Sequence, residues 1–165
     1  MQRYDDCMTP TEKLRQLSFT LPPAPQPAGS YVPAKTVGNL VFCSGVISQR
    51  DGELITGTVG QDAKGSHARS LSDAVAAARE CALLQLANLS AHLGSLDKVT
   101  GIVSLSGYVQ CTAEFHDQPT VLNGASDLFV QVFGDAGAHT RAAVGCVSLP
   151  RNALVELSLI ASIEA

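Results

Sequence analysis

The residues best placed to do chemistry lie toward the C-terminus. Arg141 opens an apolar, alternating segment directly after Gly137-Ala138-His139-Thr140. A guanidinium at a strand start can grip a carboxylate through two parallel hydrogen bonds, although most arginines simply face water. Glu156 stands between Val155 and Leu157 in an aliphatic run. A carboxylate there must be paired, hydrated or catalytic, because burial alone is costly; the plain alternative is an ion pair at a subunit contact. The two strands are joined by the turn Pro150-Arg151-Asn152, so Arg141 and Glu156 are expected to lie near each other, as a salt bridge or as a small-anion pocket. Ser44-Gly45 follows Leu40-Val41-Phe42-Cys43 and marks a strand end where glycine lets a ligand approach the backbone. An ordinary turn is the commoner meaning of that dipeptide.

Other candidates are weaker. His139 could serve as a general base, but no partner is visible beside it, and a loop histidine is the simpler reading. His67, His92 and His116 are assigned nothing. The five cysteines (Cys7, Cys43, Cys81, Cys111 and Cys146) show no C-x-x-C spacing and no pairing with histidine that suggests a metal. They read as small buried hydrophobes of a reducing compartment, with Cys43 an unpromising nucleophile. No phosphate-binding glycine loop, serine-hydrolase elbow or zinc-protease signature occurs.

Composition narrows the class. With 165 residues, 45% hydrophobic and 16% charged, the chain can build a full core and is neither disordered nor fibrous. Aromatics are few, so the core must be aliphatic and rich in alanine. A net charge of −4 disfavours a nucleic-acid partner. Residues 1 to 10 are polar and lack the apolar run of a signal peptide, and no segment is long and apolar enough to span a membrane, so a cytoplasmic location is expected.

The elements that must position these residues follow from pattern. Thr9-Pro10-Thr11-Glu12 reads as a capping box opening a short helix, with Leu14 and Leu17 on its apolar face. The proline-rich stretch 21–27 makes an extended arm. Residues 1–27 are taken as a helix-and-arm extension and 28–165 as the domain proper. Tyr31 to Ala34 and Asn39 to Ile47 are two expected strands, Asp51-Gly52 is a turn, and Gly57 to Ser70 is a loop. Val75, Ala78, Ala82, Leu86, Leu89 and Leu93 mark one face of a long helix capped by Ser70 or Ser72 and ended by Gly94. Val99 to Val109 is a strand with Val103, Leu105 and Val109 on one side. Pro119 opens a second helix with Val121, Leu122, Ala125, Leu128, Phe129 and Val132 inward, ended by Gly134. Arg141 to Leu149 and Leu154 to Ile163 are the last strands. The result is an α+β two-layer sandwich, a mixed sheet of about six strands with two long helices on one face. Val155, Leu157, Leu159, Ala161 and Ile163 should meet the helices. The opposite face, with Leu154, Glu156, Ser158 and Ile160, is half apolar, and such a face is usually covered in an oligomer.

The sequence resembles the RidA/YjgF family, whose archetypes are enamine and imine deaminases. The resemblance runs from about Ala28 to Ile163. It is carried by Arg141-Ala142-Ala143-Val144-Gly145, Leu149-Pro150 and Val155-Glu156, and by Tyr31-Val32, Gly38-Asn39-Leu40 and Ser44-Gly45. It implies a chorismate-mutase-like fold of the bacillus type and a homotrimer with clefts between subunits. By position, it implies that Arg141 clamps the carboxylate of a small-molecule substrate and Glu156 holds the attacking water. Tyr31, Ser44, Gly45 and Asn123 would line the cleft, with Ala143 contacting ligand through its backbone. No metal or organic cofactor is required for that chemistry, the hydrolysis of 2-imino acids to 2-oxo acids and ammonia. Ala143 stands where the archetype has cysteine, and Val46 where it has glutamine. The competing readings are a non-catalytic carboxylate-binding trimer and, less favoured, an endoribonuclease.

Overall fold

A computed structural model describes residues 8–61 and 63–164. Thr9 caps helix α1 (Pro10–Gln16) in a reciprocal capping box with Glu12, and Leu14 is buried in the core. The Thr11 amide donates to Asp97 Oδ1, fastening this helix to the body. Tyr31 to Pro33 belong to the arm rather than to a strand. The Tyr31 amide turns back to the Gly29 carbonyl, and Pro33 has no N–H to offer a ladder. The first hairpin is therefore β1 (Ala34–Val37) and β2 (Leu40–Ile47), turning at left-handed Gly38. Asp51-Gly52 turns a short ribbon, β3 (Gln49–Arg50) against β4 (Glu53–Leu54). The expected loop 57–70 is mostly irregular but holds a two-residue parallel ladder, β5 (Thr58–Val59) with β6 (Ala68–Arg69).

Helix α2 (Leu71–Leu93) is capped by Ser70 with Asp73 and ended by left-handed Gly94. Its burial differs from the expected single stripe. Every residue from Cys81 to Leu89 is buried, Gln85 and Asn88 included, while Val75 and Leu93 are only partly covered. The helix packs on β9 and β2 and alongside α3, which itself packs on β7 and β8, so its middle has little solvent face. Strand β7 (Val99–Gln110) leads to α3 (Gln118–Phe133), then β8 (Thr140–Cys146) and β9 (Val155–Ile163). All six expected inward residues of α3 are buried, and Gly124 joins them.

The main sheet has five strands in the order β1-β2-β9-β7-β8. β7 and β8, joined across α3, are parallel, and the other neighbours are antiparallel. Val155, Leu157, Leu159 and Ala161 face the helices and are buried, as the alternation requires. Two expectations fail locally. Val103 is 38% exposed, because a register shift between Ile102 and Ser104 turns it away from Leu105 and Val109. Leu154 is fully buried, because it precedes the ladder and its backbone pairs with Ile55 and Gln110 instead. The open face is half apolar: Phe42, Ile160 and Ser104 share one row, and Tyr108, Glu156 and Val144 another.

A Cβ on Gly124 would collide with the Val75 carbonyl across the α2–α3 contact. Gly124→Ala is expected to destabilise the chain by about 1–3 kcal/mol through overpacking, read from urea unfolding. An unchanged midpoint would show that the helix spacing is not set at this glycine.

Candidate functional site

The site begins with a break in the sheet. Between Cys43 and Val46, β2 carries one more residue than β9, so Ser44 and Gly45 leave the ladder as a bulge. The break frees carbonyls in an apolar interior. Gln85, fully buried on α2, supplies the missing donor: its Nε2 reaches the Ser44 carbonyl at 2.9 Å and the Leu157 carbonyl at 2.7 Å. The arm closes the other side. The Ser44 amide donates to the Pro33 carbonyl, and its hydroxyl donates to the Val32 carbonyl at 2.7 Å. That hydroxyl proton is committed, so Ser44 is a fixed wall rather than a nucleophile.

Gly45 is where Glu156 lies against the chain. A Cβ at position 45 would overlap Glu156 Oε1 as it stands, so a larger residue there would displace the carboxylate. Burial pushes the Glu156 carboxyl above its ordinary value, and no cation offsets that effect. The carboxylate lines a cleft of about 270 Å³ with Tyr31, Ser44 and Gly45. Leu84 and Asn88 of α2 form one wall, and the arm residues 25–28 form another. Tyr31 is held upright by its hydroxyl, which accepts the Ala28 amide at 3.1 Å. The cleft thus pairs a proton-hungry carboxylate with mostly apolar walls, an arrangement able to hold and deprotonate a water beside a small ligand.

Arg141 is elsewhere in the same chain. Arg141 aligns with Leu105 of β7, while Glu156 aligns with Tyr108 on the opposite face. The two strands joined by the Pro150 turn are not neighbours, because β7 runs between them. That separation is about 10 Å across the sheet and a similar distance along it, so the expected proximity does not hold within one chain. Arg141 Nη1 instead donates to Asn123 Oδ1 and to Ser126 Oγ on α3, both at 2.9 Å. Behind them stands His139. Its Nδ1 faces the Gly137 carbonyl at 2.7 Å and must be the donor, since a carbonyl only accepts. Nε2 of the neutral ring then accepts from Ser126 at 3.0 Å. The chain Arg141 to Ser126 to His139 to Gly137 is consistently polarised, and it holds the guanidinium at the exposed edge of the sheet. Asn123 is therefore grouped with Arg141 and not with the cleft. Ala143 lies two residues along β8, beside Gly107 and partly buried.

Cys43 adjoins the bulge, but burial pushes its thiol up to about 12. Cys81 is buried and shifted the same way. Cys43, Cys81, Cys111 and Cys146 are free, and Cys7 lies outside the described residues. Among the described residues no group of histidine, cysteine and carboxylate side chains could hold a metal, and no helix is long and apolar enough to cross a membrane. Sequence reasoning passes over Gln85, Asn88, Ser126 and Arg151, the last of which also lines the cleft. A signal for two of them exists: Gln85 and Asn88 are amides inside the run Leu83 to Leu89, where an unpaired polar side chain would be costly.

Comparison with known proteins bears on this arrangement. A family model described as YjgF/chorismate mutase-like, with endoribonuclease activity offered as unproven, matches residues 12–163. The chain is 37% identical to Protein TCP17 of Trypanosoma cruzi over 92% of each chain. It is 28% identical to a 2-iminobutanoate/2-iminopropanoate deaminase of Dermatophagoides farinae, over 88% of this chain and 95% of that one. The crystal structure of Atu1372, a protein of unknown function from Agrobacterium tumefaciens, superposes with a TM-score of 0.81 at 39% identity, covering 95% of this chain and 93% of that one.

Two outcomes are expected at the bulge. Gln85→Met keeps the volume but withdraws the donor from two buried carbonyls, which should cost about 1–3 kcal/mol in chemical denaturation; a neutral result would mean that the bulge holds itself. Glu156 binds its proton more tightly folded than unfolded, so ionising it opposes folding. That penalty is absent below the ordinary carboxylate range and grows as pH rises through the shifted value. Glu156→Gln should therefore raise the melting temperature at pH 7 and leave it unchanged in acid. A drop at pH 7 would show that the carboxylate is compensated in the fold.

Proposed function

The chain belongs to the YjgF/chorismate mutase-like family, and from that premise we propose that it hydrolyses 2-imino acids, or the enamines in equilibrium with them, to 2-oxo acids and ammonia. The observation that carries this reading is the Glu156 carboxylate, held against Gly45 in a partly dry cleft with its proton affinity raised by burial. The D. farinae relative, named as a deaminase of this class, supports it.

The chemistry asks little of a protein, because the imine carbon is already activated. A water held by Glu156 adds to that carbon, and its proton passes to the carboxylate. The carboxylic acid returns that proton to the imine nitrogen, giving the carbinolamine; the carboxylate then takes the carbinolamine hydroxyl proton and passes it to nitrogen as the carbon–nitrogen bond breaks. Ammonia leaves, and the oxygen of the water becomes the new carbonyl oxygen. The shift at Glu156 is in the direction that a base working near neutrality needs. Ser44, Gly45 and Tyr31 shape the ground against which the substrate lies.

The substrate carboxylate needs a cation, and Arg141 of the same chain is too far away and on the other face. We assign that role to Arg141 of a second copy. The half-apolar open face gives the copies a surface on which to associate as a trimer, and the chain of hydrogen bonds through Asn123, Ser126 and His139 would present the guanidinium at the shared boundary. Ala143 would meet the ligand through its backbone beside that anchor. The free cysteines, Cys43 and Cys81 buried and Cys111 and Cys146 partly so, suit a reducing, cytoplasmic setting.

The test is complementation. Arg141→Ala and Glu156→Gln should each lose turnover by roughly thirty-fold to several thousand-fold, the value of a truncated charge-assisted contact in a shielded cleft. Arg141→Lys should recover little, because an ammonium lacks the planar fork. Coexpressed in equal amounts, the two inactive variants should regain about a quarter of wild-type activity, since in a closed ring one site in four draws an intact residue from each neighbour. Activity is read as suppression of semicarbazide trapping when an amino-acid oxidase generates the imine. Mixed oligomers without activity would place both residues in one chain's site or remove the mechanism.

A further inference from the structure

The cleft holds more donor groups than a short aliphatic substrate would use. Asn88 is 3% exposed and lines the cleft beside Leu84, and among the described residues its side chain makes no hydrogen bond, which leaves its Nδ2 free to donate. A buried amide left unpaired in an apolar helix run is costly unless something else supplies its partner. Arg151 lines the same cleft, is exposed to solvent, and makes no side-chain ion pair or hydrogen bond with the described residues. Its guanidinium is not spent on Glu156, whose carboxyl is moved by burial with no cation offsetting it.

Arg151 is also held in a conformation that arginine disfavours. Its φ of 56° and the φ of 60° at Asn152 put two successive residues in the left-handed region. The buried side chain of Gln110 enforces this. Gln110 Oε1 accepts the Leu149 amide at 2.8 Å, and its Nε2 donates to Asn152 Oδ1 and to the Gly57 carbonyl at 3.0 Å. The Gly57 amide returns to the Asn152 carbonyl at 3.1 Å. The turn carrying Arg151 is thus clamped from both sides, and the cation at the cleft comes from a backbone fixed in advance.

Together these observations describe a second anion position, separate from Arg141. Resting on the deaminase reading above, we propose that the cleft selects 2-imino acids bearing a distal carboxylate, held by the Arg151 guanidinium and the Asn88 amide. The cleft volume of about 270 Å³ leaves room for a side chain that carries a terminal carboxylate. Such imines arise by oxidation of amino acids with acidic side chains.

The products serve as stable probes. Calorimetric titration with 2-oxoglutarate and with 2-oxohexanoate compares a distal carboxylate with an uncharged chain of similar length. The wild type should bind the dianion at least tenfold tighter. Arg151→Gly removes the guanidinium while relieving the left-handed strain, so folding is secure, and it should lower the dianion-to-monoanion ratio at least tenfold. Arg151→Lys should restore part of that ratio, and Asn88→Leu should reduce it severalfold. Equal wild-type affinities, or an Arg151→Gly loss of the same factor for both ligands, would overturn the proposal. Turnover is followed separately with iminosuccinate made by an aspartate oxidase. A dianion preference that depends on Arg151 without turnover of any imine would support the anion site and remove the deaminase reading. Turnover of all imines at equal efficiency would keep the deaminase and remove the anion site.

Discussion

Two hydrogen bonds from one amide nitrogen hold the site open. The Ser44–Gly45 bulge exists only if the carbonyls it releases find donors in a place without water, and Gln85 is the donor. Because Gln85 is rigidly mounted on α2, that pair of bonds also fixes how the helix is rotated over the sheet. With the bulge fixed, Gly45 is turned so that a carboxylate can lie against its backbone, and β9 places Glu156 there. The arm is pinned by the same residue from the outside, through the Ser44 amide and hydroxyl. Remove the extra residue and Gly45 returns to the ladder, with no space beside Glu156.

The same device recurs where the chain enters β9. Gln110, nearly fully buried, ties Leu149, Asn152 and Gly57 together where the chain leaves β8 and enters β9. Each glutamine satisfies backbone groups at an interruption of regular structure, and each interruption borders the cleft. Interior amides of this kind contribute little net stability when paired but are expensive to leave unpaired. They specify one arrangement of an irregular segment more than they strengthen it. The regular parts of the fold are held by aliphatic packing, with Phe129 the largest fully buried side chain.

How much of this can be read from sequence depends on whether a residue's neighbours are local. α3 is legible because its inward positions recur at helical spacing against a polar opposite face. α2 is less so: buried on all sides from Cys81 to Leu89, it offers no contrast between faces, and only its caps mark it clearly. Glu156 stands out by type and context, and Ser44-Gly45 by the end of an apolar run. Their meeting is not legible, because it needs the one-residue slip between β2 and β9. Arg141 and Glu156 look adjacent in sequence terms, joined by one turn, yet β7 enters the sheet between their strands. Sequential order cannot reveal that insertion. Arg151 reads as a turn residue, since nothing local says that Gln110, far back in the chain, holds the turn against the cleft.

One residue from the bulge, Cys43 carries a consequence for the protein's own survival. A thiolate is the nucleophilic form of cysteine, and one beside an open cleft would be exposed to any electrophile that entered it. With its thiol pushed up to about 12 by burial, Cys43 carries little thiolate at neutral pH, and the thiolate is the reactive form. Burial among aliphatic side chains thus chemically passivates the sulfur next to the cleft. A cleft built on this sheet can keep a small, well-packing residue at that position without offering a reactive sulfur to whatever it holds.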